Sequence, residues 1–145
     1  MKDERSRIAT RRERPHNKLE IYKLAHAHGL RVHALTLKLP KFEMYEEGSQ
    51  SRRASKSVSS QIVEGHALRQ YKAEYEHYLA RAYASAEEVI EHLEYLLETG
   101  SAKLVVPDCH ALIGEYDTLC RKIFNYQTAI HRGHDPNQTP VRTRR

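Results

Sequence analysis

The chain is short of several residue types, and each shortage narrows the reading. Its 145 residues include no tryptophan, two phenylalanines, two cysteines, six glycines and five prolines. So few glycines and prolines argue against a loop-rich or all-β chain, whose turns would need them. No run of about 18 apolar residues occurs, so nothing reads as a membrane span. The opening stretch MKDERSRIATRRER has no apolar segment and does not read as a secretory signal, so a cytoplasmic location is the expectation. Cys109 and Cys120 lie in a helical pattern, 11 positions apart, which is about 16 Å along a helix axis. A disulfide needs Cα atoms within about 7 Å, so both are expected as buried, unpaired apolar side chains.

Recognisable catalytic patterns are also missing. There is no G-x-S-x-G, phosphate-binding loop, G-x-G-x-x-G or C-x-x-C. A di-metal carboxylate site in a helical bundle needs two Glu-x-x-His units, and within the helical segments Glu74 with His77 is the single such spacing. His26 and His33 stand roughly 10 Å apart on one helix face, too far to share an ion unaided. Glu88 and His92 are spaced to bind zinc but read as a solvated pair. No catalytic residue, metal or cofactor is expected.

What is present is charge, unevenly placed. Lys and Arg total 24 against 19 Asp and Glu, a net of +5. Residues 1–18 carry +4 and residues 131–145 carry +3, which leaves −2 for residues 19–130. Both ends lack apolar periodicity and read as flexible basic arms, with a folded domain over 19–130 between them. Basic arms hold polyanions by counterion release, and Arg11, Arg12, Arg14, Arg142, Arg144 and Arg145 are the arm residues proposed for nucleic acid. The arms hold no aromatic residue to stack on a base, so sequence preference should be weak.

Four segments have the i, i+3/i+4 spacing of amphipathic helices. The first covers about 19–38 and carries two apolar stripes. One is Ile21, Leu24/Ala25, His28, Val32 and Leu35; the other is Leu19, Tyr22, His26, Leu30, His33 and Leu37. Two stripes exceed what a four-helix core requires and point to an oligomer contact. Pro40 ends this helix by excluding Leu39 from helical geometry. The second helix, about 49–64, contains six serines between positions 49 and 60 and so has mediocre propensity. Ala54, Ser57, Val58 and Gln61 are expected to form its close-packed seam, and Gly65 to end it in a left-handed cap. The third runs 72–98 along a continuous apolar stripe and stops at Thr99-Gly100. The fourth covers about 108–131. Short connections favour antiparallel neighbours, so the expected fold is an all-α, up-down-up-down four-helix bundle.

On the second helix, Arg53, Ser57, Gln61 and Glu64 share a face. One reading makes Arg52, Arg53 and Lys56 a patch for RNA phosphate. The favoured one buries Arg53 against Glu64 or Glu88 of another helix and leaves Arg52 and Lys56 exposed.

These residues resemble a known family. Leu39-Pro40-Lys41-Phe42-Glu43, then Ser49-Gln50-Ser51-Arg52-Arg53-Ala54, Ser57-Val58 and Gln61-Ile62-Val63-Glu64-Gly65, is similar to the signature of the 23S ribosomal RNA intervening-sequence proteins. Ala82-Tyr83-Ala84-Ser85-Ala86-Glu87-Glu88 matches that family's third helix. The resemblance makes Pro40, Gln50, Arg53, Ser57, Glu64, Gly65 and Glu88 its structural motif positions. It implies a small cytosolic bacterial protein assembling as a homopentamer, with RNA or a ribonucleoprotein as a possible partner. Gln61 departs from the usual Asn, and His66 to Leu68 replace a more basic, glycine-rich turn. The expectation is a non-enzymatic homo-oligomer associated with RNA. The alternative is a scaffold whose partner is a protein.

Overall fold

The computed structural model describes residues 13–133. The expected arms, and with them Arg11, Arg12, Arg142, Arg144 and Arg145, lie outside the described residues, apart from the stretch around Arg14. A 3-10 turn at Pro15–Lys18 leads into α1 (Glu20–Thr36), α2 (Lys41–Tyr45), α3 (Glu47–Ala67), α4 (Lys72–Glu98) and α5 (Val106–His131). No strand occurs among the described residues. The four long helices close a ring: α3 packs on α1 and α4, and α5 packs on α4 and α1.

The buried stripe of α1 is Ile21, Ala25, His28, Val32 and Leu35. It meets Ala54, Val58 and Ile62 of α3, Leu79 to Leu96 of α4, and Leu112 to Ile123 of α5 in one core. The second stripe of α1 divides. Leu19 and Tyr22 are buried, whereas Leu30 and Leu37 stand 62% and 57% exposed. Cys109 and Cys120 are free and buried.

The serine-rich helix forms in spite of its propensity because its stripe of Ala54, Val58 and Ile62 packs into the core, and the hydroxyls buried with it are satisfied. Ser51 Oγ donates to the Glu47 carbonyl at 2.8 Å and Ser55 Oγ to the Arg52 carbonyl at 2.9 Å, and both side chains are fully buried. Ser57 and Ser85 share a hydrogen bond of 3.1 Å between α3 and α4. Small side chains let the neighbours approach: a Cβ added to Gly29 of α1 would lie 3.8 Å from the Ser55 carbonyl oxygen.

Three expectations need correction. Gly65 is not a left-handed cap. Helix α3 continues through it to Ala67, and the positive-φ glycines are Gly100 and Gly133. Gly65 is there because α4 crosses closely: a Cβ would sit 2.9 Å from Tyr78 Cβ and 3.3 Å from Tyr75 Cδ2. Second, the connection after Pro40 is itself helical, with the Pro40 carbonyl accepting Met44 N–H at 2.9 Å, and α3 begins at Glu47. Third, the end of the basic arm is structured. His16 is buried, its ring edge-on to Tyr22 with centroids 4.6 Å apart. The Thr99-Gly100 stop is as expected: Gly100 has φ +77° and Ala102 N–H closes onto the Leu96 carbonyl at 3.0 Å.

Candidate nucleic-acid interface

The three basic residues of α3 separate. Arg52 turns back onto α2, where Nη2 donates to the Met44 carbonyl at 2.9 Å. Its Nη1 is buried, 3.3 Å from where a Cβ on Gly48 would stand. Arg52 therefore clamps the α2–α3 corner, contrary to the expectation of an exposed side chain. Arg53 is exposed and makes no ion pair among the described residues, so the buried pairing with Glu64 or Glu88 is also corrected. The cause is register. The buried stripe of α3 runs Ser51, Ala54/Ser55, Val58, Ile62 and Gly65. Arg53, Lys56, Ser60 and Glu64 fall on the solvent side of that stripe, exposed together, while Ser57 and Gln61 sit half-buried at its edge. Pro40 and Gln50 are exposed too.

Glu88 belongs to a different polar set. Its Oε1 lies 3.3 Å from His92 Nε2, and the other ring nitrogen lies 2.7 Å from Glu47 Oε2. Beside it Glu43, only 5% exposed, accepts from Ser101 Oγ at 2.5 Å. That bond ties α2 to the turn between α4 and α5. The segment 39–43 that carries the resemblance is thus a structural latch, with Glu43 as its bolt. No group of three potential metal ligands occurs among the described residues.

Positive charge converges elsewhere. A cavity of about 650 Å³ opens between the 3-10 turn and the end of α3, lined by Glu13, Arg14, Pro15, Lys18, Leu19, His66 and Arg69. His66 is 4% exposed and stacks edge-on against Tyr75, with centroids 6.2 Å apart. Arg69 Nη1 donates to the His66 carbonyl at 2.9 Å, which holds the guanidinium at the rim. Arg14 and Lys18 are exposed opposite it. Three permanent cations face one carboxylate, and the mouth is open to water. Such a groove suits a phosphate backbone, where cations on a fixed scaffold displace condensed counterions.

Sequence spacing counted Arg14 and Lys18 with the arm and passed over His66 and Arg69. The apposition of the chain's start with the α3–α4 turn is a tertiary fact that no local pattern carries. The available signal was His66 and Arg69, three residues apart at the end of α3, where His66 to Leu68 reads as a loss of basic character.

The two thiols are held protonated at neutral pH. Burial pushes the Cys109 thiol up to about 11 and the Cys120 thiol up to about 12. It also raises the Tyr116 phenol above its ordinary range. A thiol held protonated is a poor nucleophile and a poor metal ligand.

Comparison with curated proteins returns no match. The family model of the 23S rRNA-intervening sequence protein matches residues 17–125, which begin within the 3-10 turn and run through all but the last residues of α5. The resemblance carried by residues 39–65 and 82–88 is thereby shown for most of the chain, and the protein belongs to the 23S rRNA-intervening sequence protein family.

Proposed function

We propose that this protein is a non-catalytic, self-associating helical bundle that holds RNA on its basic surfaces. The single observation that carries the reading is the groove of Arg14, Lys18, His66 and Arg69. It lies where the +4 segment 1–18 joins the body, so Arg14 and Lys18 belong in sequence to that basic segment and in space to the groove. The bundle runs up-down-up-down. This is supported by the antiparallel sense of its packing: Glu47 meets His92 while Gly65 meets Tyr78, and Leu93 meets Cys109 while Tyr75 meets Tyr126.

Self-association, with a pentamer as the expected state, is supported by the exposed half of the second α1 stripe. Leu30 borders a cavity of about 420 Å³ shared with His26, Gly29, His33, Lys56 and Ser59. Copies of the groove in one assembly would add weak phosphate contacts through multivalency. No described helix is long and apolar enough to cross a membrane; the proposed compartment is the cytoplasm.

Full-length protein passed over immobilised RNA tests this reading. Retention at low salt and release as salt rises is the expected result. Protein that flows through at every salt concentration contradicts it and favours the scaffold reading.

A further inference from the structure

A second groove lies on the opposite pairing of helices, between α4 and α5. It encloses about 330 Å³ and is lined by Tyr83, Glu87, Asp117, Cys120, Arg121, Phe124 and Asn125. Its walls are aromatic: the Tyr83 and Phe124 rings are tilted at 56° with centroids 6.3 Å apart, and Phe124 is 57% exposed. Its charge is acidic. Arg121 already bonds Asp117 at 3.2 Å, whereas Glu87 makes no ion pair among the described residues. The Glu87 charge is felt on the aromatic wall, where it raises the Tyr83 phenol above its ordinary range. A π-face beside an unneutralised carboxylate is the arrangement that takes a guanidinium, by stacking on one side and ion pairing on the other.

The chain carries such groups within reach. Helix α5 ends at His131, whose Nδ1 lies 2.9 Å from Glu76 Oε1 of α4. Gly133 follows with φ +81°, the left-handed geometry that turns a chain off a helix axis. Phe124 lies about 10 Å back along α5 from His131. Arg142 stands nine residues beyond Gly133, and nine extended residues span up to about 30 Å. The last four residues, Arg142-Thr143-Arg144-Arg145, hold three arginines and no carboxylate side chain.

We propose that the Tyr83–Glu87–Phe124 groove is a guanidinium site whose occupant is the C-terminal segment of the same chain, residues 142–145. Docking there sets these arginines against the body instead of against a polyanion. If the RNA reading above holds, the groove then competes with RNA for the tail.

The test needs no RNA, so it is separate from that reading. Thr143→Cys is introduced into the full-length chain and spin-labelled. Cys109 and Cys120 are buried with raised thiol pKa values, so the label goes to the added cysteine. The expected result is paramagnetic attenuation of the Tyr83 and Phe124 signals at low salt. Glu87→Gln should abolish it, and Glu98→Gln, which removes the same charge elsewhere on α4, should leave it in place. Two results overturn the proposal: no attenuation, or attenuation indifferent to Glu87→Gln. So does equal attenuation when label and isotope sit on different molecules, because the occupant would then be the tail of a second copy.

Discussion

Gly65 shows how a residue's identity can be right for a different reason. Its helical φ and its approach to Tyr78 Cβ and Tyr75 make it a packing glycine. The two roles predict different outcomes for alanine. Alanine in a helix interior gains about 1 kcal/mol of propensity over glycine. At 2.9 Å from another Cβ it must also force α3 and α4 apart, and overpacking costs about 1–3 kcal/mol. We expect Gly65→Ala to melt a few degrees below wild type and Gly65→Val lower still. Calorimetry showing the alanine variant more stable would refute the close-contact account.

His28 carries the residue-scale pH prediction. Its ring is buried edge-on to Tyr116 of α5, centroids 5.4 Å apart, with Nδ1 3.5 Å from Glu115 Oε2. Burial lowers its pKa below the ordinary 6.5; Glu115 opposes that shift and Arg31 of α1 adds to it. The fold therefore prefers neutral His28, while the unfolded chain takes up a proton below about 6.5. The unfolded state binds more protons there, so this contribution to stability is present above that pH and lost as pH falls through it. Denaturant midpoints measured from pH 7.5 to 5 should fall less steeply for His28→Phe than for wild type. Equal slopes would mean that His28 titrates normally.

At the scale of elements, α2 is the least expected piece and the best defined by two side chains. Five residues cannot sustain a helix by propensity. Arg52 holds its C-terminal carbonyl and Glu43 holds it to Ser101. A hydrogen bond to a charged group contributes about 1.5–3 kcal/mol when buried and less when half-exposed. We expect Arg52→Ala to speed hydrogen exchange at Met44 and Glu46, whose N–H groups bond within the α2 turn. The amides of α4 should be unaffected, and Arg53→Ala should change neither set. Protection of Met44 unchanged in Arg52→Ala would remove the clamp.

The same elements show what periodicity can and cannot say. Helix α4 was legible at both ends, because its apolar stripe is unbroken from Tyr75 to Leu96 and Gly100 supplies the turn. Helix α3 was legible as a helix and misjudged at both ends. Its N-terminal turn follows a proline-led segment that reads as a connector, and a glycine chosen for close packing looks in sequence like one chosen for a cap. Arg52 and Arg53 are neighbours that differ by about 100° around the helix. With the start of α3 misplaced, which of them turned inward could not be decided. The Arg14–Lys18–His66–Arg69 groove was not legible, since it joins residues some 50 positions apart in sequence through tertiary packing alone.

At the scale of the whole molecule, the fold separates its tasks. The core closes around α1, α3, α4 and α5, and Leu30 of α1 and Leu37 just beyond it are left uncovered. Light scattering should give a mass well above that of one chain, and Leu30→Asp combined with Leu37→Asp should lower it. A wild-type mass of about 17 kDa would contradict self-association. The central claim is that the described body, and not the arms alone, binds phosphate. It is tested most directly by filter binding of a single-stranded RNA at several salt concentrations. The comparison is between full-length protein and the groove variant Arg14→Ala, Lys18→Ala, Arg69→Ala. Each phosphate that the variant no longer neutralises should flatten the plot of log affinity against log salt by about 0.7, so the triple variant should bind more weakly at low salt with a slope shallower by about 2. An unchanged affinity and slope would place RNA binding wholly outside the groove and contradict the account.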